Sequence, residues 1–156
     1  KGFERARSEL AREVERELQT ARLKAVTTNR PFRVRFNCPD AGGYRMVELI
    51  GSPSTPDAND SPADRCDETK YPFPARDRNP LTLPNNDGPA RRLPEGVSFG
   101  SAATLEFWPD GSVHKQVEGG NPWAVVSSEG TSVTVTRGGS VKAITVNGIG
   151  KIQLLP

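Results

Sequence analysis

The sequence predicts an α+β fold in which a long N-terminal amphipathic helix packs on an antiparallel β-sheet or sandwich. Three observations support this prediction. Residues 4–28 contain neither Gly nor Pro, period-two apolar patterns begin at residue 32, and turn sequences separate these patterns. The content of 15 Gly and 14 Pro among 156 residues argues against an all-helical fold.

The helix is predicted over residues 4–28 because this segment is rich in Glu, Arg, Leu and Ala, which are strong helix formers. Apolar residues recur every three or four positions, so they lie on one narrow stripe of the helix. We expect this stripe to be the packing face of the helix. It consists of Ala6, Leu10, Val14, Leu18, Ala21 and Ala25.

The strands are predicted from alternation and from turn chemistry. Pro31 ends the helix, and Phe32, Val34 and Phe36 then alternate with arginines, as in a half-buried strand. Turn sequences rich in Gly, Pro, Asp and Asn indicate antiparallel hairpins further along. The other strands are expected at residues 44–50, 104–108, 113–117, 133–135, 141–146 and 151–155.

A Pro-rich segment interrupts the β-rich domain, which we expect to cover residues 31–156 after the helical residues 1–30. Residues 51–96 hold nine of the 14 prolines and have almost no periodic apolar pattern. We therefore predict a long irregular excursion rather than strands. Two interpretations stay open: a surface insertion, or a contact loop for a neighbouring subunit or ligand.

Two cysteines, Cys38 and Cys66, lie 28 positions apart without the CxxC spacing of a metal site. A disulfide between them is the favoured interpretation, and two separate buried thiols are the alternative. The disulfide would pin the excursion and would indicate an oxidising compartment.

Catalytic chemistry has little support in the sequence. His114 is the only histidine, it follows a turn, and no nucleophile motif such as GxSxG accompanies it. We expect His114 to be an exposed strand residue, and Trp108 and Trp123 to be packing residues. The sequence therefore predicts a protein that is not an enzyme and has no small-molecule substrate.

The acidic part of the excursion resembles a calcium-binding loop in its spacing. The carboxylates of Asp57, Asp60, Asp64 and Asp67 could supply oxygen ligands, but Pro62 stands where an EF-hand loop requires Gly. A solvated acidic loop is the favoured interpretation, and a calcium site is the alternative. We predict no other cofactor.

Basic residues with interleaved aromatics raise the question of nucleic-acid binding. The net charge of +2 gives no strong overall attraction to DNA, so we expect none. Any DNA contact would involve the later part of the excursion or the C-terminal turn. The candidate residues are Arg76, Arg78, Arg91, Arg92 and Lys151.

Three segments together carry a resemblance to a known family. Residues 18–36 are predicted to join a helix with an ARLKAV sequence to a basic strand, and residues 93–113 contain LPEGV and FWPDG. Residues 133–154 contain AITVNGIGKI (residues 143–152), which has the pattern of a closing strand, turn and strand. This arrangement resembles the H-type pseudopilins and the FimT-type minor pilins. The resemblance implies a pilin-like fold and a subunit of a type IV pilus or type II secretion pseudopilus.

The resemblance also implies partners and a location. Residues 1–30 would be the C-terminal half of a pilin-type helix, preceded by an apolar half that anchors the subunit in the inner membrane. The globular domain would lie in the periplasm or outside the cell, in contact with other pilin or pseudopilin subunits.

FimT-type proteins of competence systems bind DNA through a Gly-Arg-x-Arg pattern near the C-terminus. The corresponding residues here are Gly148, Ile149, Gly150 and Lys151, which carry one cation. This difference favours a structural or initiating subunit. A DNA-binding minor pilin for DNA uptake is the alternative.

Overall fold

A computed structural model describes most of the chain. It covers the backbone at residues 2–51, 55, 57–75, 84, 86–116 and 123–156, with the side chains of all of these except residues 2–8 and Trp123. Residues Arg76 and Arg78 therefore lie outside the described residues, as does the side chain of Ala6.

The first element is helix α1 (Gly2–Thr28). It ends where Asn29 adopts a left-handed φ of 57° and Pro31 prevents its continuation. Of the predicted packing face, the residues from Val14 to Ala25 are fully buried, whereas Leu10 is partly buried. Ala11 also belongs to the buried face. Within the described part of the chain, no helix has both the length and the apolar character needed to cross a membrane.

The described residues form ten strands in two antiparallel sheets. The strands are β1 (Phe32–Phe36), β2 (Gly43–Glu48), β3 (Arg91–Arg92), β4 (Ser98–Phe99), β5 (Leu105–Phe107), β6 (Val113–Gln116), β7 (Trp123–Val125), β8 (Thr131–Arg137), β9 (Ser140–Val146) and β10 (Ile152–Leu154). One sheet has the order β3-β2-β1-β5-β6-β7, and the other has the order β10-β9-β8-β4.

The hydrophobic core lies between α1 and the two sheets. The helix contacts β1, β2 and β5 of the first sheet and β8, β9 and β10 of the second. Aromatic rings join the sheets, because Phe99 of β4 makes edge-to-face contacts with Phe36 at 5.0 Å and with Tyr44 at 5.7 Å between ring centroids. This is the helix-on-sheet architecture that the sequence predicts.

The six-stranded sheet buries both of its faces near β1 and β2. Phe32, Val34 and Phe36 belong to the core beneath α1. Alternate residues point the other way, and the register places Arg35 opposite Arg45 on this outer face. Both arginines are buried, so another layer covers them.

The covering layer comes from the excursion. It contains a 3-10 turn (Ala58–Asp60), a one-turn helix α2 (Pro62–Arg65) and strand β3, which pairs with β2. The expectation of a segment without strands is therefore wrong at β3. The described residues of the segment are mostly irregular, but Arg91 and Arg92 follow the sheet closely enough to extend its edge.

The free edge of β10 is covered by polar residues of α1. The Leu154 N–H donates to Glu15 Oε2 at 2.9 Å, and Gln19 Nε2 donates to the Ile152 carbonyl at 3.3 Å. An uncovered edge strand offers unpaired backbone groups to other chains. Here the helix supplies partners for two of those groups.

Candidate functional site

Two buried arginines hold the excursion on the outer face of the sheet. Arg45 of β2 donates to three backbone carbonyls, those of Gly88 at 2.8 Å, Arg65 at 2.9 Å and Tyr71 at 2.6 Å. These acceptors come from separate parts of the excursion, so a single side chain fixes three of its segments. Because a buried guanidinium needs several acceptors, this arrangement explains why residues without regular structure are held in place.

Arg65 is the second buried arginine, and it comes from the excursion itself. Its guanidinium forms ion pairs with Asp60 at 2.7 Å and Asp87 at 2.6 Å, and it donates to the Glu48 carbonyl at 2.6 Å. The ring of Tyr71 lies 4.8 Å from the guanidinium carbon. Arg65 thus joins the two ends of the excursion to the end of β2.

Asp60 corrects the expectation of a fully solvated acidic loop. Its side chain is buried, and besides Arg65 it accepts the backbone N–H groups of Ile50 and Gly51 at 2.9 and 3.0 Å. Its backbone carbonyl accepts Arg35 Nη2 at 2.7 Å. Burial, followed by the nearby charges of Arg33 and Arg65, lowers the pKa of Arg35 to about 10. The spacing of the acidic residues in the sequence could not show that the Asp60 carboxylate stabilises the fold.

The Cys38–Cys66 disulfide is present, with Cα atoms 5.4 Å apart. Cys38 follows β1, and Cys66 directly follows Arg65 at the end of α2. The covalent bond therefore holds α2 beside the β1–β2 hairpin and positions Arg65 over the sheet. The disulfide predicted from the sequence is confirmed.

The returning part of the excursion connects to α1. Lys24 Nζ donates to the Asn86 carbonyl at 3.2 Å, and Arg91 Nε pairs with Glu17 Oε2 at 3.0 Å. The Glu17 side chain is 4% exposed, and burial raises its pKa although Arg91 acts in the opposite direction. Beside this ion pair is a groove of about 140 Å³. Its lining residues are Glu13, Arg16, Glu17, Thr20 and Arg91.

The single histidine is buried, so the expectation of an exposed strand residue is wrong. His114 is 5% exposed and stacks on Trp108 with ring centroids 3.7 Å apart. Trp108 donates to Glu106 at 2.7 Å, and the same carboxylate pairs with Arg33 at 2.9 Å. Burial lowers the pKa of His114, while Glu106 and Asp110 act in the opposite direction. Trp108 and His114 thus pack on the outer face of the six-stranded sheet, beside the ion pair between Glu106 and Arg33. Trp108 has the packing role that the sequence predicts.

The candidate DNA contacts do not form one exposed basic track among the described residues. Arg91 pairs with Glu17, and Arg92 pairs with Asp40 and donates to the Ala41 carbonyl at 3.0 Å. Lys151 lies far along the chain, beside β10 of the other sheet. The structure thus places two of these cations in intramolecular ion pairs.

Metal binding finds no support in the described part of the chain. No group of three or more His, Cys, Asp or Glu side chains there is arranged to hold a metal ion. Asp60 pairs with Arg65, while Asp64 pairs with Lys70 at 3.1 Å. Asp57 and Asp67 accept backbone N–H groups two residues ahead, as in Asx turns.

The fold matches solved structures of pilin-like proteins. Two crystal structures of the type IV minor pilin FimU from Pseudomonas aeruginosa PAO1 align with TM-scores of 0.52 and 0.54 at 13% and 14% sequence identity. The alignments cover 96% and 99% of this chain and 92% and 91% of the FimU chains. The fold of this chain is therefore pilin-like. No curated protein sequence matches the chain significantly.

The family follows from the sequence model described as type II transport protein GspH, which matches residues 10–150. Because this match spans most of the chain, the protein belongs to the GspH family. It is a minor pilin or pseudopilin, a structural subunit rather than an enzyme. The resemblance noted in the sequence and the predicted fold are both confirmed.

Sequence reasoning found the disulfide and the helix, but it missed the buried polar residues. Arg45, Arg65 and Asp60 occur in segments that look solvated when read one residue at a time. One signal was available: strand β2 alternates Arg45 with apolar residues next to the two arginines of β1. Several arginines on one face of a sheet indicate that this face either is exposed to solvent or is covered by a layer that supplies hydrogen-bond acceptors.

Proposed function

We propose that the chain is a structural or initiating subunit of a type IV pilus or of a type II secretion pseudopilus. The observation that carries this proposal is the GspH family match over residues 10–150, on a chain that folds as a helix packed across antiparallel sheets. In this proposal the protein acts by packing its helix and by presenting its β-rich surface to other pilin or pseudopilin subunits.

The proposed location follows from the family. Residues N-terminal to α1 would form the apolar half of the helix and anchor the subunit in the inner membrane. The β-rich domain would then lie on the periplasmic side. The disulfide supports this location, because such bonds persist in oxidising compartments.

A DNA-uptake role is the less favoured assignment. Arg91 and Arg92 already pair with Glu17 and Asp40, and the C-terminal turn contributes Lys151 as its one cation. A DNA-binding surface requires cations that neutralise several phosphates, and its affinity then falls steeply with salt. These contacts support assembly over DNA binding.

The first test is to read the native coding sequence immediately upstream of Lys1. We expect a short basic leader, a Gly-Phe cleavage junction and about twenty apolar residues, enough to span a bilayer. A conventional cleaved signal peptide or an initiator Met directly upstream would overturn the proposal.

A second test deletes the gene in its native host and restores it in full length. We expect loss of surface filaments or of protein secretion, with recovery on complementation. Fluorescence anisotropy with a duplex oligonucleotide tests the alternative. Binding that weakens with salt and is lost in Arg91→Gln, Arg92→Gln or Lys151→Gln would favour DNA uptake instead.

A further inference from the structure

Three reactive side chains meet where the returning part of the excursion crosses the end of α1. Lys24 lies one turn before the end of the helix, Glu48 ends β2, and Asn86 belongs to the excursion. Their functional groups are an amine, a carboxyl group and a primary amide. An amine and a primary amide can form a new amide bond with loss of ammonia, and a carboxyl group can move the protons that this reaction requires.

Lys24 and Asn86 are already in contact. Lys24 Nζ donates to the backbone carbonyl of Asn86 at 3.2 Å, and both residues are half-buried. The side-chain amide carbon of Asn86, Cγ, is joined to this backbone carbonyl only through Cα and Cβ. Rotation about side-chain bonds therefore suffices to bring the lysine amine to Cγ, at the separation of about 3–3.5 Å from which two groups react.

Glu48 contacts the nitrogen that would leave. Its Oε2 accepts a hydrogen bond from Asn86 Nδ2 at 3.3 Å. The residue is 1% exposed, and its neighbour on β1 is Phe32, which belongs to the core. A carboxyl group at hydrogen-bond distance from an amide nitrogen can protonate that nitrogen as its bond to carbon breaks.

Neighbouring contacts fix Asn86 relative to Glu48. The backbone N–H of Glu48 donates to Asp87 Oδ1 at 2.8 Å, and the Gly88 N–H donates to the Met46 carbonyl at 3.0 Å. The chain on one side of Asn86 is thus held along the edge of β2. Amides react very slowly with amines in dilute solution, but groups held in place can reach effective molarities of about 10⁵–10⁸ M.

We propose that Lys24 and Asn86 form a covalent isopeptide bond inside the folded chain, with Glu48 as the catalytic base and acid. The Glu48 carboxylate accepts a proton from the Lys24 ammonium group, and the amine lone pair attacks Asn86 Cγ to form the Nζ–Cγ bond. Glu48 then donates the proton to Nδ2, and the Cγ–Nδ2 bond breaks.

The reaction needs no other reactant. The new amide nitrogen keeps one hydrogen and gives its remaining proton to the departing ammonia. One lysine ammonium group and one asparagine amide are consumed, one isopeptide bond and one ammonium ion are produced, and Glu48 returns to its carboxylate form. Nothing is oxidised or reduced.

The bond would link α1 to the excursion across 62 positions of the chain. The loop that it closes encloses the loop closed by the Cys38–Cys66 disulfide. Two covalent bonds would then restrain the excursion, one near α2 and one at α1. Because closing a loop restricts the unfolded chain, the linked protein should unfold at a higher temperature than a variant without the bond.

Mass spectrometry of the intact 156-residue chain, with its disulfide reduced, tests the proposal. We expect a mass below that of the sequence by one ammonia. Trypsin, which cleaves after a free lysine, should no longer cleave after Lys24. It should instead release a branched peptide that joins residues 23–33 to residues 79–91, and the fragments of this peptide should place the link at Lys24 and Asn86.

Variants separate the role of each group. Lys24→Arg and Asn86→Ala should have the full mass of their sequences and should unfold at a lower temperature than the wild type. Glu48→Gln keeps the shape of the side chain but cannot carry the proton, so it should form the bond about 10²-fold more slowly or worse. The rate is measured by mass after chain recovered in urea is refolded, since the unfolded chain starts without the bond.

The matched control is Lys142→Arg, which changes a lysine of β9 in the other sheet. It should lose ammonia like the wild type. Circular dichroism should show that all of these variants are folded, so that a missing bond reflects missing chemistry.

Three outcomes overturn the proposal. One is a refolded wild type that keeps the full mass of its sequence after prolonged incubation. Another is a loss of ammonia that persists in Lys24→Arg, as succinimide formation at Asn147 and Gly148 would produce. The third, bond formation in Glu48→Gln at the wild-type rate, overturns the catalytic role of Glu48.

Discussion

Arg65 and Asp60 form an ion pair inside the protein, with Nη1 and Oδ1 2.7 Å apart and side-chain exposures of 0% and 8%. Asp60 also accepts the backbone N–H groups that follow β2, at Ile50 and Gly51. The pair therefore organises the end of a strand from outside the sheet. Its two charges have lost their hydration, so each depends on the other for compensation.

Arg65→Ala should lower the free energy of unfolding by about 3–5 kcal/mol, because it leaves Asp60 and Asp87 buried without a cation. Urea denaturation at neutral pH measures this change. The matched control is Lys70→Ala, which removes the exposed partner of Asp64 and should cause no measurable change. Equal denaturation midpoints for the two variants would contradict the structural role of Arg65.

Reduction of the disulfide should destabilise the protein by about 3 kcal/mol, as loop closure between residues 28 apart requires. Denaturation with and without a reducing agent measures this effect, and a Cys38→Ser, Cys66→Ser double variant should behave like the reduced wild type. Hydrogen exchange should increase first in residues 57–75, because the bond positions α2. If exchange increased in α1 earlier than in residues 57–75, this order would be disproved.

The sequence predicts elements that carry their own periodic signal. Residues 4–28 and the alternation of Phe32, Val34 and Phe36 each reflect burial on one side, so local pattern suffices for α1 and β1. Strands β4 and β7 escape prediction because they have two and three residues and depend on their sheet neighbours.

The outer face of the sheet could not be predicted for a different reason. His114 and Arg45 are polar, and polar residues on a strand usually face solvent. Here Trp108 covers one and the excursion covers the other. Which segment covers them depends on contacts such as that between Arg45 and Gly88, 43 residues apart. Such contacts leave no periodicity in the sequence.

Acidification should destabilise the protein through His114. Burial lowers the pKa of His114 in the folded state, so the unfolded state binds its proton at higher pH. The stability that neutral His114 contributes is therefore fully present above the unfolded pKa of about 6.5. This contribution is lost as pH falls from there through the folded pKa of His114. The contribution of His114 can change the free energy of unfolding by at most about 1.4 kcal/mol per pH unit.

The comparison for this prediction is His114→Phe, which keeps an aromatic ring against Trp108 and does not titrate. Urea denaturation between pH 7 and pH 5 should show a fall in stability for the wild type relative to the variant. Glu17, whose raised pKa gives a contribution of opposite sign, is present in both proteins and cancels in the difference. If the stability of the wild type and that of His114→Phe changed in parallel with pH, protonation of His114 would not be the cause of the destabilisation.

Gly150→Ala should destabilise the turn before β10 for two separable reasons. Its φ of +87° is unfavourable for a residue with a Cβ, and that Cβ would meet Arg22 Nε at 2.3 Å. Together these should reduce the free energy of unfolding by about 1–3 kcal/mol. Alanine substitutions at two glycines of the β8–β9 turn serve as comparisons for Gly150→Ala. Gly138 has a φ of +58° with no atom within 4 Å, and Gly139 lacks both problems.

Thermal and urea unfolding should therefore rank the losses as Gly150→Ala, then Gly138→Ala, then Gly139→Ala. In an Arg22→Ala background, the cost of Gly150→Ala should fall to that of Gly138→Ala, because the backbone strain persists while the steric contact is gone. This double-mutant cycle measures the contact that joins α1 to the turn. If the cost of Gly150→Ala is the same with and without Arg22, the Arg22 side chain does not rest on Gly150.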